Sequence, residues 1–153
     1  MIQRKEVLAI GEIYHIFNKS IAGFEIFNND NDFLRIKNVI RYYRIENQAT
    51  SFSNFIKVKQ NITKICSFEK EPIVTIIAYC VMPTHLHLVL KQLKNNGITA
   101  FMSNILNSYS RYFNIKHNRK GPLWEGRFKS VLVKTDEQLL HLTRYMHLNP
   151  VTA

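Results

Sequence analysis

The sequence predicts an α+β fold, a ferredoxin-like sandwich with a mostly antiparallel central sheet and helices packed on it. Three observations support this prediction. β-Branched and aromatic segments alternate with segments whose apolar residues recur at helical spacing. Two strand segments are separated only by a Pro-Thr connection, as in an antiparallel hairpin. No repeat or Pro/Gly-rich linker divides the 153 residues, so a single domain is expected.

The first elements are a strand and a helix. Residues 13–18 are β-branched and aromatic, which favours a strand. The polar residues 28–32 offer several N-caps for a helix that is expected to run to about Asn47. Its apolar positions recur at helical spacing: Phe33, Ile36, Val39, Ile40 and Tyr43. Residues 52–66 are compatible with either a second helical piece or a loop.

The central elements are a hairpin and a long helix. Residues 73–82 form a nearly continuous apolar run, which predicts a strand covered on both faces. Residues 85–90 are predicted to form its partner strand after a tight connection at Pro83 and Thr84. A helix is expected from Thr99 to about Lys116 because an apolar stripe follows helical spacing: Ile98, Phe101, Met102, Ile105, Leu106, Tyr109 and Phe113.

The last elements are a strand and a helix that follow a polar turn at residues 118–121. The strand is predicted over residues 127–134, where Phe128, Val131 and Val133 are apolar. Thr135-Asp-Glu-Gln138 matches a capping box and opens the final helix. Pro150 is expected to stop that helix.

The charge balance indicates a nucleic-acid partner. Lys and Arg number 21 against 11 Asp and Glu, so the formal net charge is +10, and the sequence pI is about 9.8. A basic stretch interleaved with Tyr112 and Phe113 could grip a DNA backbone and stack bases, although a solvated basic turn is the alternative. The predicted DNA-contacting residues are Arg111, Lys116, Arg119, Lys120, Arg127 and Lys129.

Several other classes of protein are not expected. The sequence has no run of 18 apolar residues, so no transmembrane helix is expected. The N-terminus lacks a signal-peptide pattern. A cytoplasmic protein, associated with the nucleoid when bound to DNA, is therefore expected. Cys66 and Cys80 form no Cys-x-x-Cys pair, so we expect two buried free thiols and no thiolate zinc site. Trp124 is expected in the core or at a hinge, with base stacking as the alternative.

His85-Leu86-His87 is the central chemical motif. Residues two apart in a strand project from the same face, so both imidazoles point to one place while Leu86 points into the opposite layer. Two convergent imidazoles can begin a divalent metal site. Two surface histidines are the alternative reading of this short motif.

A second motif places Tyr145 and Asn149 one turn apart on the last helix. The phenol could be a nucleophile and the amide oxygen a third metal ligand, whereas a structural helix end is the alternative. His141 lies one turn before Tyr145 and could hold its hydroxyl, while His147 is predicted at the surface. Tyr109 and Tyr112 are rival nucleophiles, and neither has a polar ligand four residues on.

Four segments in sequence order resemble the HUH single-tyrosine transposases, the insertion-sequence-200-like enzymes with the related REP-associated tyrosine transposases (REP, repetitive extragenic palindrome). Tyr14-His-Ile-Phe-Asn-Lys19 resembles the first strand of the family. Tyr79-Cys-Val-Met-Pro-Thr-His-Leu-His-Leu88 resembles its signature. Gly121-Pro-Leu-Trp-Glu-Gly-Arg-Phe-Lys-Ser130 resembles the segment between its last two helices, and Tyr145-Met-His-Leu-Asn-Pro-Val151 its catalytic helix.

The resemblance implies a role for each matching residue. His85 and His87 correspond to the metal-binding pair, Asn149 to the polar third ligand and Tyr145 to the nucleophile. It also implies Mg²⁺ or Mn²⁺, single-stranded or hairpin DNA, a 5′-phosphotyrosine intermediate, and a homodimer or a monomer. Residues 1–153 are then one HUH tyrosine transposase catalytic domain, which is expected to be shortened at the C-terminus.

Elementary chemistry agrees with these implications and leaves two alternatives open. A free phenol has a pKa near 10 and is a poor nucleophile at neutral pH, so charge neutralisation on the phosphate would assist its attack. Imidazole ligands favour Mn²⁺ over Mg²⁺. A covalent intermediate keeps the phosphodiester energy, so rejoining needs no nucleotide cofactor. The alternatives are a catalytically inactive DNA- or RNA-binding module of the same fold and a phosphodiesterase that uses water.

Overall fold

The computed structural model describes residues 7–46, 48–58 and 70–152, and for residues 149–152 it describes the backbone alone. Its strands are β1 (Ile13–Lys19), β2 (Val74–Met82), β3 (His85–Gln92) and β4 (Lys129–Leu132). Its α-helices are α1 (Asp30–Tyr43), α2 (Phe52–Ile56), α3 (Gly97–Lys116) and α4 (Asp136–Thr152), and a single 3-10 turn, Ile21–Gly23, follows β1.

The four strands form one antiparallel sheet in the order β2-β3-β1-β4. In this order β1 lies between β3 and β4, which is the split arrangement of a ferredoxin-like sandwich. The predicted α+β fold with an antiparallel sheet is thereby confirmed. Within the described ranges, no helix has the length and apolar character needed to cross a membrane.

The main core lies between α1, α3 and one face of the sheet. Leu86, Leu88 and Leu90 of β3 are completely buried there against the apolar stripe of α3. Every residue of that stripe predicted from the sequence is buried. Trp124 is also part of this core, and its indole N–H donates to the carbonyl of Leu106 at 3.1 Å, so the predicted core position is confirmed.

Helix α4 covers the other face of the sheet only in part. Met146 is buried against Ala78 and Cys80 of β2 and Val89 of β3. Burial raises the pKa of the Cys80 thiol, as expected for a structural free cysteine, whereas Cys66 lies outside the described residues. Since α4 packs mainly on β2, the described β1 residues on this face, Ile13, His15 and Phe17, are half-buried, and Lys129 and Val131 of β4 are exposed.

The expectation that residues 73–82 are covered on both faces is wrong. β2 is an edge strand, and a bulge between Ile76 and Ala78 shifts its pairing with β3. Thr75 is exposed, and Ile77 and Tyr79 are 38% and 43% exposed. The bulge changes which sheet face the alternate residues of β2 occupy. Val74, before the bulge, is buried in the main core, whereas Ala78 and Cys80, after it, are buried under α4, so the apolar run is long.

The ends of several elements also differ from the expectation. Helix α1 ends at Tyr43, α2 covers residues 52–56 of the uncertain segment, and β4 is shorter than residues 127–134. At the start of α4, the backbone N–H of Gln138 donates to Thr135 Oγ1 at 3.1 Å. The side-chain oxygen of Gln138 accepts from the backbone N–H of Lys134, as in a capping box. The expectation that Pro150 stops α4 is wrong, because the helix continues through it to Thr152.

The far end of β3 is held by a buried amide. The Gln92 side chain donates to the Leu8 carbonyl at 2.6 Å and accepts from the backbone N–H of Ile98 at 3.1 Å. The next helix begins beside β2, where a Cβ on Gly97 would lie 2.4 Å from the Ile73 carbonyl oxygen. Only glycine allows this close approach, which fixes α3 relative to the hairpin that carries the two histidines.

Candidate functional site

Two imidazoles lie together on the sheet face that α4 partly covers. His85 and His87 are half-buried, their ring centroids are 5.0 Å apart, and Leu86 between them is fully buried in the opposite layer. In the pairing of β1 with β3, Phe17 lies opposite His87 and Lys19 lies opposite His85. The two-residue period of a strand therefore brings the pair together as the sequence predicts.

A third imidazole, which the sequence analysis did not single out, belongs to the same cluster. His15 Nε2 lies 3.0 Å from His87 Nδ1, and the two rings stack with centroids 5.2 Å apart. The available signal was the alternation of β1, which places His15 on the same face as Phe17 and opposite the buried Tyr14 and Ile16. The alternation predicts the sheet face on which His15 lies. It does not predict that His87 lies beside it, because that contact depends on the register between β1 and β3.

Burial keeps all three imidazoles neutral at physiological pH. Burial, followed by the positive charges that His15, His85 and Lys19 can carry, lowers the pKa of His87 to about 4. The pKa of His85 is lowered by burial and by Lys19, and the pKa of His15 by burial. A neutral imidazole has a lone pair, which is the form that binds a metal ion.

The nitrogen atoms of the two histidines suit metal binding. His85 Nδ1 lies 2.9 Å from Thr84 Oγ1 and His87 Nδ1 lies 3.0 Å from His15 Nε2, whereas hydrogen bonds between described residues leave both Nε2 atoms unused. Metal-binding histidines commonly have one nitrogen hydrogen-bonded in this way. Across the described residues, no group of three or more His, Cys, Asp and Glu is arranged to hold a metal ion.

Helix α4 places Tyr145 next to this cluster. Its ring centroid is 6.3 Å from that of His87 in an edge-on arrangement, and its side chain is 52% exposed. The adjacent Met146 is buried and anchors this turn of the helix against β2. Asn149 lies one turn farther along α4, but its side chain is outside the described part of the structure.

The other candidate residues on helices lie away from the cluster or at the surface. His141 is exposed, and no hydrogen bond among the described residues joins it to Tyr145. His147 is exposed, as predicted, and its Nδ1 lies 2.7 Å from the Thr143 carbonyl oxygen.

The rival nucleophiles lie on the opposite side of the sheet. Tyr109 is fully buried and donates to the Ile26 carbonyl, and its burial raises the pKa of its phenol. The Tyr112 hydroxyl lies 2.9 Å from a carboxylate oxygen of Asp32. Neither hydroxyl is on the face that carries the histidines.

The six predicted DNA-contacting residues fall into two groups. Lys116 forms an ion pair at 2.7 Å with the fully buried Asp32, and Arg119 donates to Asn114 and to the carbonyls of Gly121 and Pro122. Contacts within the chain therefore engage these two cations. The remaining four are exposed: Arg111, Lys120, Arg127 and Lys129. Of these, Arg127 also interacts within the chain, and it adjoins the histidine face together with Lys129 at the start of β4.

The chain is similar to known transposases in sequence family and in fold. The family model described as transposase IS200 like matches residues 44–149. A REP-associated tyrosine transposase, solved bound to a REP hairpin, has a TM-score of 0.58 and 17% sequence identity, covering 99% of this chain and 74% of that chain. A candidate transposase from Deinococcus radiodurans R1 has a TM-score of 0.50 and 12% identity, covering 95% and 96%. No curated protein matches the sequence.

Proposed function

The chain belongs to the family of IS200-like transposases, and we propose that it cuts and rejoins single-stranded or hairpin DNA through a covalent bond to Tyr145. The observation that carries this proposal is the contact between the rings of Tyr145 and His87, with His85 on the same face of the sheet. A nucleophilic hydroxyl and a pair of neutral imidazoles are thus available to one phosphodiester.

His85 and His87 would hold a divalent cation through their Nε2 atoms, with Asn149 as an oxygen ligand. When bound, Mg²⁺ or Mn²⁺ supplies positive charge to the phosphate oxygens and assists departure of the leaving oxygen. Two imidazoles and one amide leave coordination positions for phosphate and water, as a catalytic site requires. The mixture of nitrogen and oxygen donors favours Mn²⁺.

Tyr145 supplies the covalent step. Its hydroxyl oxygen forms a bond to the phosphorus and releases its proton to water, while the bond from phosphorus to the 3′ oxygen breaks and that oxygen takes up a proton from water. The products are a 5′-phosphotyrosine and a free 3′-hydroxyl, and attack by a 3′-hydroxyl on the phosphotyrosine reverses the step and joins strands. The half-exposed position of Tyr145 leaves its hydroxyl accessible to a strand that lies on the face.

A covalent-adduct assay tests this function directly. The protein is incubated with end-labelled single-stranded DNA hairpins and Mn²⁺, and then denatured and separated by size. We expect labelled DNA that migrates with the protein and is released by protease treatment. Cleavage without any such adduct would favour the phosphodiesterase alternative, and binding without cleavage would favour the inactive binding module.

DNA binding is expected to weaken steeply as salt rises, and to favour single strands or hairpins over plain duplex. The net charge is +10, and neutralised phosphates release counterions with a slope of about −0.7 per contact for single strands. The REP-associated relative was solved with a hairpin, which supports this choice of substrate. Fluorescence anisotropy over a salt series measures the slope, and an affinity that stays constant over the series would contradict the prediction.

The hydrogen bond between His15 and His87 is expected to select the tautomer of His87. For His87 Nε2 to keep its lone pair, Nδ1 must carry the hydrogen and donate to His15 Nε2. We predict that His15→Leu shifts His87 away from this tautomer and weakens Mn²⁺ affinity by about 10- to 100-fold. Nitrogen chemical shifts of His87 in the metal-free protein report the tautomer, and titration with Mn²⁺ reports the affinity.

Two further variants distinguish a role of His15 in positioning His87 from a general effect of the substitution on the structure. His15→Gln restores an acceptor on this side of His87 and should recover part of the affinity, while His141→Leu changes an exposed histidine outside the cluster and should have no effect. An unchanged His87 tautomer in His15→Leu would refute the role of His15 even if activity fell.

A further inference from the structure

One flank of the histidine cluster is open. Helix α4 packs mainly on the β2 side of this face through Met146, whereas the far end of β1 and β4 keep exposed side chains at Lys19 and Lys129. In the sheet register, Phe17 lies between His87 on β3 and Lys129 on β4, and Lys19 lies opposite His85. A strand of DNA that reaches the histidines from the side of β4 would therefore pass over Phe17 and the two lysines.

A cavity of about 270 Å³ lies on this open flank. It is lined by the β1 residues Phe17, Asn18 and Lys19 and by residues at the start of β4, Glu125, Gly126, Arg127 and Lys129. Its wall is firm, because the buried Asn18 side chain donates to the Gly126 carbonyl at 3.1 Å and the Glu125 N–H donates to the Lys19 carbonyl at 2.9 Å. These bonds hold the loop before β4 against β1.

The cavity combines an aromatic ring with positive charge. The Phe17 ring is half-buried and lies 5.9 Å from the His87 ring and 5.0 Å from the His15 ring, centroid to centroid, so the cavity adjoins the cluster. Lys19, Arg127 and Lys129 contribute three cations against one carboxylate, Glu125. Aromatic faces that stack bases beside cations that follow the backbone are the usual components of single-strand binding.

We propose that this cavity binds the nucleotide next to the scissile phosphate of single-stranded DNA, with its base stacked on Phe17 and its flanking phosphates held by Lys19 and Lys129. This inference rests on the proposed function, since it places the strand that Tyr145 attacks. The base must lie outside a continuous duplex, because within a duplex both of its faces already stack on neighbouring bases.

The test measures binding in the absence of metal with two labelled probes, a thymidine oligonucleotide and an abasic oligonucleotide of the same length. Phe17→Leu keeps an apolar side chain of similar size but removes the flat ring, and Phe17→Tyr keeps the ring. Phe33→Leu is the matched control, because Phe33 is 37% exposed on α1, on the other side of the sheet. Thermal unfolding checks that each variant is folded.

We expect Phe17→Leu to weaken binding of the thymidine probe by about tenfold and to leave the abasic probe unaffected, since stacking of one base accounts for this much affinity. Phe17→Tyr should bind both probes as the unmodified protein does. Equal binding of the thymidine probe by Phe17→Leu and the unmodified protein, or an equal loss for both probes, would overturn the stacking role.

A charge-matched pair of double variants tests the phosphate contacts. Lys19→Ala with Lys129→Ala should reduce the salt slope by about 1.4 for both probes, the value expected for two single-strand phosphate contacts. Lys37→Ala with Lys57→Ala removes the same charge from exposed positions on α1 and after α2, and should leave the slope unchanged. Equal slopes for the two double variants would overturn the assignment of the lysines.

Failure of this inference is distinguishable from failure of the proposed function. If the unmodified protein forms the covalent adduct but the Phe17 and lysine variants bind normally, the strand takes another path and the chemistry of Tyr145 stands. If the variants lose binding as expected but no adduct forms with the unmodified protein, the cavity binds single strands and the proposed chemistry is wrong.

Discussion

Tyr145→Phe is expected to abolish the covalent protein–DNA adduct and strand cleavage together, by at least about a thousandfold, while folding and DNA binding are retained. The substitution removes only the hydroxyl oxygen that would bond to phosphorus. It leaves the ring that contacts His87 and the neighbouring Met146 that anchors α4 on β2. Labelled hairpin DNA with Mn²⁺ measures both losses in one denaturing gel.

Tyr112→Phe is the matched control for this prediction. It also removes a single hydroxyl, which contacts Asp32 on the other side of the sheet, and the adduct should therefore persist. Cleavage by Tyr145→Phe but not by Tyr112→Phe would contradict the prediction and identify Tyr112 as the nucleophile. Loss of cleavage in His85→Ala, with no loss in either tyrosine variant, would favour a phosphodiesterase that uses water.

A mixing experiment shows which subunit supplies the nucleophile. Tyr145 contacts His87 of its own chain, so we expect each active site to be built from one chain. Tyr145→Phe mixed with His87→Ala should then stay inactive. Recovery of activity in the mixture would mean that Tyr145 serves the histidines of a partner, in a dimer that exchanges this helix.

His87→Ala is expected to reduce Mn²⁺ affinity by more than about 100-fold and to abolish cleavage, because the loss of a direct ligand exceeds the 10- to 100-fold effect of a supporting residue. Binding of single-stranded DNA without metal should change little, since phosphate contacts dominate that affinity. Calorimetry with Mn²⁺ measures the first effect and anisotropy in the presence of a chelator measures the second.

His147→Ala is the control for the loss of an imidazole. His147 is exposed on α4 and contacts the Thr143 carbonyl, so its removal should change neither metal affinity nor cleavage. If His87→Ala binds Mn²⁺ as well as the unmodified protein does, the metal does not bind at this face of the sheet. The proposed role of the histidine pair would then be wrong, although the fold assignment would be unaffected.

Much of the fold was predictable because its signals are local. The apolar stripe of α3, the capping box of α4 and the hairpin around Pro83 and Thr84 each depend on residues close together in sequence, and the structure contains all three. The convergence of His85 and His87 was predictable for the same reason, since strand geometry alone places residues two apart on one face. The roles proposed for Tyr145 and Asn149 rest on the family resemblance, since spacing by itself left them open.

The sequence by itself determined the α+β fold, the shared face of the histidine pair and the basic character that indicates a nucleic-acid partner. Only the tertiary structure decided that His15 contacts His87, that Phe17 and Lys19 lie beside the pair, and that Asp32 engages Lys116. These residues are distant in sequence: His15 and His87 are 72 positions apart, and Asp32 and Lys116 are 84 positions apart. Their partners follow from strand register and helix packing, which the whole core selects and which no local pattern encodes.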